Sequence, residues 1–295
     1  RLQAVTLPDQ LKELFEIGHH PLVLRQDRTR PTAESTFQEL MFASTSGEDI
    51  RAFFAAPDGR SLAPAILYIH AHGDHYDIGA REVLDGRPAL QGPLGQTLVG
   101  MGFAVLCIDL PSFGARADRT ESDLAKAALW QGKSLAGQMV GELQAAFEWL
   151  HAQEGIDQTR IGVFGISMGA TLGYWLAAVE PRLAAVAHLC CFADFSELIR
   201  TGAHDLHGIY LTVPGLLTLT SIGKIAGQIA PRRQFVGIGD QDPLTPALAV
   251  DIALIELRTA YVDCPKNLTI YRSPATGHQE TPGIRRAVLE FFKTL

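Results

Sequence analysis

A chain of 295 residues that is 47% hydrophobic can bury a substantial core, and its formal charge of −7 comes without the clustered Lys and Arg that a nucleic-acid or anionic membrane surface needs. No apolar run reaches the roughly 18 residues of a membrane helix, and no signal-peptide core is visible. Cys107, Cys190, Cys191 and Cys264 form no C-x-x-C pair, so a cytoplasmic protein with reduced thiols and a small neutral or weakly charged partner is expected.

The elements are taken in chain order. "LPDQLKELFEIG" is a short amphipathic helix that Pro8 can start and Gly18 can end. "TFQELMF" and "IRAFFAA" are strand-like and separated by a Ser/Gly/Glu turn, an antiparallel hairpin. "AILYIH" (65–70) is a buried strand, "LGQTLVGMG" a helix ended by glycine, and "FAVLCIDL" (103–110) the next strand. Within 133–151, Leu135, Met139, Val140, Leu143, Phe147 and Leu150 recur every three or four residues, which predicts a helix with one apolar face. Strand "RIGVFG" (160–165), helix "GATLGYWLAAVE" and strand "LAAVAHLCCF" follow. The series ends with strand "QFVGIG" (234–239), helix "PALAVDIALIELRTAYV", strand "NLTIYR" and helix "IRRAVLEFFKTL".

Short, continuously apolar strands alternating with helices predict an α/β fold, a mostly parallel sheet covered on both faces with the hairpin at one edge. No repeat or linker divides it, so 1–295 is expected to be one domain with an N-terminal extension (1–32). Residues 192–230 are longer than an ordinary connection between core strands and are expected to form a lid or cap.

Chemistry concentrates at three places. Gly165-Ile166-Ser167-Met168-Gly169 is a G-x-S-x-G string between a strand and a helix. There a sharp turn holds a serine hydroxyl proud of the sheet, and the helix N-terminus at Met168 adds amide donors. A serine needs a base, and the base an acid. "VGIGDQDPLTP" offers Asp240 and Asp242, and "YRSPATGHQETPG" offers His278, each beyond the carboxyl end of a strand and in the required order after Ser167. The stretch "YIHAHGDHYDIG" reads two ways. His70, His72, Asp74 and His75 have the H-x-H-x-D-H spacing of a zinc site, and "HG" after a strand is also how an oxyanion pocket begins. Zinc would require further ligands from a two-sheet sandwich, and the rest of the chain writes one parallel sheet; no metal and no organic cofactor are expected.

With "HAHGDH", "IDLPSFGAR", "RIGVFGISMGA", "APRRQFVGIGDQDPLTP" and "TGH" in view, the chain resembles an α/β-hydrolase over most of its length, and is similar to the dienelactone hydrolase and acetyl-xylan-esterase-like branch. The resemblance implies the α/β-hydrolase fold and an acid in a G-x-x-D-x-x-x-P turn, which fits Gly239, Asp242 and Pro246. It gives His72 a structural role and assigns the oxyanion to the backbone N–H groups of Asp74 and Met168. Dienelactone hydrolases carry cysteine where Ser167 stands, which favours ordinary ester hydrolysis over lactone chemistry.

The expectation is a serine hydrolase acting on a carboxylic ester of a small or medium-sized molecule. Amide, lactone or carbon–carbon hydrolysis by the same triad is the alternative, and a non-catalytic binding protein on the same fold the remote one. In the insertion, His204, His207, Tyr210, Val213, Leu216 and Leu217 are candidates for a substrate pocket, with ordinary lid packing as the alternative. Arg116, near Phe113, is a candidate for an anionic substrate group, with pairing to a local carboxylate as the commoner role of a loop arginine. Oligomeric state is not legible.

Overall fold

A computed structural model describes residues 5–28, 37–44, 47–57, 59 and 61–295. Its strands are β1 (Val23–Arg28), β2 (Gln38–Ala43), β3 (Asp49–Ala55), β4 (Ala63–Ile69), β5 (Ala104–Ile108), β6 (Ile156–Ile166), β7 (Ala185–Leu189), β8 (Arg233–Gly239) and β9 (Leu268–Ser273). They form a single sheet in the order β1-β2-β3-β5-β4-β6-β7-β8-β9. Every pair from β5 to β9 is parallel, and β1, β2 and β3 run antiparallel up to their junction with β5.

The edge differs from expectation in one respect: the hairpin is a three-stranded antiparallel ribbon, because Val23–Arg28, within the span read as an extension, pairs with β2. "VLRQDR" has no apolar alternation, and Val23 is 60% exposed, so hydrophobic patterning could not find this outer strand. The start of the predicted hairpin at Thr36, part of its turn at 45–46, and residues 1–4 and 29–32 of the extension lie outside the described residues.

The apolar strands are two-sided, as parallel strands must be when both faces are covered. In β5, Ala104, Leu106 and Ile108 face one core cluster, while Phe103 just before it, Val105 and Cys107 face the other. The first cluster packs under α1 (Leu7–Leu14), α5 (Leu135–His151), α6 (Met168–Val179), α9 (Ile222–Gly227) and α10 (Ala247–Ala260). The second packs under α2 (Glu82–Asp85), α3 (Gly95–Gly100) and α11 (Pro282–Phe292). Helix α1 starts at a capping box between Thr6 and Asp9 and stops at Phe15, before Gly18, with Glu16 at φ 53°. Phe15 stacks on Trp175 of α6 at 5.2 Å, which fastens the N-terminal helix to the centre of the molecule. Every residue of α6 is buried, so each of its large side chains contributes on the order of 1.5–3 kcal/mol from burial.

Helix α4 (Glu121–Trp130) was not legible, since only Glu121 and Ala125 of it are buried. The interval 192–230 holds α7 (Phe195–Thr201), α8 (Leu216–Leu219), α9 and two single 3-10 turns at Ala203–Leu206 and Ile209–Leu211. No described helix is long and apolar enough to cross a membrane.

Candidate active site

Ser167 sits between β6 and α6 at φ 58°, ψ −120°, a backbone conformation that costs a non-glycine residue about 1–3 kcal/mol and persists only where packing enforces it. The two glycines of the motif show what enforces it. A Cβ on Gly169 would lie 2.1 Å from the Ile69 carbonyl oxygen at the end of β4, and one on Gly165 would lie 2.2 Å from the Gly169 carbonyl. The helix can therefore start against the strand ends only with hydrogen at both positions. The Ser167 amide is tied to Leu189 O of β7 at 2.8 Å. The first amides of α6, Met168 foremost, have no carbonyl partner within the helix.

His278 lies in the loop after β9, with Nε2 2.9 Å from Ser167 Oγ and Nδ1 2.6 Å from Asp242 Oδ2. The Asp242 side chain is fully buried, and its other oxygen accepts the Leu244 amide at 2.9 Å. The loops carrying acid and histidine are stitched together: Gln241 N donates to Thr276 O at 2.9 Å. A Cβ on Gly239 would stand 2.2 Å from Gly277 O, so glycine permits this approach. Asp240, the competing acid, turns away and accepts Arg272 Nε at 2.6 Å. The structure thus brings Ser167, His278 and Asp242 together and leaves Asp240 out. The histidine loop is anchored by buried Glu280, which accepts the Gln91 amide and Arg285. This anchor, two residues beyond His278, was missed on sequence.

The loop after β4 resolves into hydrogen bonds. The Leu110 amide donates to His70 Nε2, so Nδ1 carries the proton and donates to Ala71 O. Burial holds this imidazole neutral, its pKa lowered to about 3. The Asp74 amide donates to His72 Nδ1 at 3.1 Å, so the His72 proton is on Nε2, which donates to Glu121 Oε2 at 2.7 Å. Both nitrogens of each ring are therefore engaged, and His75 is half-exposed. Among the described residues no three His, Cys, Asp or Glu side chains converge as a metal site. Gly73 and Asp74 are both left-handed, at φ 55° and 56°. Asp74 N–H, expected to face an oxyanion, has His72 Nδ1 as its partner here, and an incoming carbonyl oxygen must share or take over that donor.

Beneath this loop, Glu82 accepts the Ala71 amide, the Tyr68 hydroxyl and Arg87 Nε, while Arg87 Nη2 donates to Ala71 O. Burial pushes the Glu82 carboxyl up, against the pull of Arg87. Neither residue was singled out from sequence, because a Glu and an Arg five apart in a polar stretch look like surface.

The expected pocket residues separate. His204 and His207 line a groove of about 460 Å³ in the insertion, together with Val213, Leu216 and Leu217. His207 donates from Nε2 to Leu244 O at 2.9 Å, beside the acid's loop. Tyr210 does not line that groove; its ring is buried against His72, centroids 5.7 Å apart. Arg116 is corrected outright: its guanidinium is buried and bound to Glu142, Glu48 (2.6 Å) and Asp109 O (3.1 Å), which leaves it an internal ion pair rather than a substrate contact. A larger cavity of about 550 Å³ lies apart from Ser167, bordered by Phe15, Glu48, Leu124 and Glu142.

A serine elbow between strand and helix, with acid and histidine beyond the ends of the last two strands, β8 and β9, defines an α/β-hydrolase. The family model described as "Dienelactone hydrolase family" matches residues 91–195, which include Ser167 and stop short of Asp242 and His278. The chain is 32% identical over 297 residues to the protein named "Putative hydrolase YtaP" of Bacillus subtilis, covering 97% of this chain and 98% of that one. It is 26% identical to esterase FrsA of Escherichia coli over 84% of this chain and 58% of that protein. Among solved structures, acetyl xylan esterase 1 from Thermoanaerobacterium superposes with a TM-score of 0.64 at 17% identity, over 99% of this chain and 95% of that one. The chain belongs to the dienelactone hydrolase family.

Proposed function

We propose that the protein is a serine hydrolase that cleaves a carboxylic ester of a small or medium-sized molecule through an acyl-enzyme. The observation that carries this reading is the continuous relay from Ser167 Oγ to His278 Nε2 (2.9 Å) and from His278 Nδ1 to Asp242 (2.6 Å). Ser167 Oγ attacks the ester carbonyl as its proton passes to His278 Nε2, and Asp242 holds the ring in the tautomer that can receive it. The Met168 and Asp74 amides face the developing oxyanion, each such donor being worth about 3–4 kcal/mol in acyl transfer. The imidazolium returns its proton to the departing alkoxide. The neutral ring then takes a proton from water, whose oxygen attacks the acyl carbon; collapse of that intermediate frees the acid and restores Ser167.

Esterase names among the sequence relatives favour an ester over an amide. We read 1–295 as one domain, with 192–230 as the cap over the strand ends. The free, mostly buried cysteines fit a reducing cytoplasm. A panel of nitrophenyl esters graded by acyl length, with one amide and one lactone, tests the reading. Ester turnover that survives dialysis against a strong chelator is expected, whereas turnover confined to the amide or lostwith the chelated metal contradicts it.

A further inference from the structure

Glu121, the first residue of α4, is a buried carboxylate that plays no part in the proton relay, yet it gathers three donors from two separate parts of the chain. Its Oε2 accepts His72 Nε2–H and the Tyr76 hydroxyl, each at 2.7 Å. Its Oε1 accepts the Tyr210 amide of the insertion at 2.7 Å. Burial pushes this carboxyl up, and the bonds from His72 and the Tyr210 amide outweigh it, leaving the group below its ordinary value and ionised. The Tyr210 ring stacks on the His72 ring that Glu121 holds. The insertion approaches so closely that a Cβ on Gly208 would fall 2.6 Å from Glu121 Oε1 and 2.8 Å from His72 Nε2.

We propose that Glu121 is a positioning residue for the oxyanion loop, and that it couples the loop to the insertion. The chain of cause runs through one proton. A carboxylate at His72 Nε2 fixes the ring proton there, which leaves Nδ1 bare to accept the Asp74 amide. That bond holds the left-handed turn at Gly73 and Asp74 and keeps the N–H in place until a substrate oxygen shares or takes over the donor. Because the same carboxylate holds Tyr210 N, displacement of the insertion is felt at the donor. The proposal rests on the ester-hydrolase reading, since it assigns the Asp74 amide a task.

The test uses the full chain, a fluorophosphonate probe that phosphonylates the active serine, and a selectively 15N-labelled histidine sample. E121Q keeps the shape and removes the charge. G208A, at φ −64°, has an ordinary backbone conformation and acts as a wedge that leaves the carboxylate in place. Both variants are expected to slow labelling of Ser167 by about 10- to 100-fold, a fraction of the loss of a whole oxyanion donor. They should lower kcat with KM little changed, while thermal melts stay above the assay temperature. In the wild type the His72 ring should show an unprotonated Nδ1 and a protonated Nε2, and E121Q should lose that fixed pattern. Wild-type labelling rates in folded E121Q, or an unchanged His72 pattern, would overturn the proposal. Absence of labelling in the wild type itself would instead sink the serine-hydrolase reading, and the His72 resonances would still decide whether Glu121 sets the tautomer.

Discussion

The strand-end loops and the insertion at 192–230 are built on opposite terms. Around Ser167 and His278 the backbone is pressed together until only hydrogen fits at Gly165, Gly169 and Gly239, and the buried carboxylates of Asp242 and Glu280 each have donors. The insertion consists of short helices and 3-10 turns, with Ile199 54% and Leu206 57% exposed. Chemistry needs atoms held to within a few tenths of an ångström, which close-packed backbone supplies. A surface that meets variable substrate needs area and shape, and tolerates change. Substitutions in the first region should therefore act on rate, and those lining the groove of the second, away from the Gly208 and Tyr210 contact with Glu121, on substrate preference.

The sharpest way to break this contrast is Ser167→Ala, expected to reduce ester turnover by about 10⁴- to 10⁶-fold with the melting temperature little changed, since alanine keeps the Cβ and backbone conformation and loses only the hydroxyl. Retained turnover in a purified sample would remove Ser167 from the chemistry. Asp242→Asn is expected to cost about 10⁴-fold by favouring the wrong His278 tautomer. Asp240→Asn, which loses only a half-exposed pair with Arg272, should stay within a few-fold; the reverse ranking would transfer the acid's role.

Acid should strike the scaffold. His70 and His188 are fully buried, and burial lowers both to about 3. The unfolded chain binds protons on these rings below about pH 6.5 while the folded one does not, so stability falls as pH drops from about 6.5 toward 3. Each ring contributes a slope of up to about 1.4 kcal/mol per pH unit. Urea midpoints measured from pH 7 to pH 4 check this, and a flat profile would contradict it. The smallest effect is assigned to the groove: Leu217→Ser, at a 37% exposed position lining it, should change KM among esters of different acyl length by less than about tenfold, the range of one or two methylenes. An equal loss of kcat on every ester would erase the distinction between the two regions.

How much of this was legible follows the same line. Apolar runs gave the parallel strands and the helices over them, and G-x-S-x-G announced a turn whose mechanics leave few alternatives. Asp242 could be preferred over Asp240 through the turn that the family resemblance implies, and their contacts separate them physically, Asp242 against His278 and Asp240 against Arg272. What escaped were polar residues whose meaning depends on distant partners. Glu121 begins a helix of which Ala125 alone is otherwise buried, and its three donors come from residues 72, 76 and 210. Arg116 shows the converse: sequence left a substrate anion and a local carboxylate both open as its partner, and only the folding of Glu48 and Glu142 against it decides for the carboxylates. Strand β1 has no hydrophobic period to detect.

The most direct measurement is the mass and position of a fluorophosphonate adduct. The account predicts one adduct per chain, on Ser167, absent in Ser167→Ala and strongly slowed in His278→Ala. No adduct on active protein, or an adduct on another residue, would contradict it.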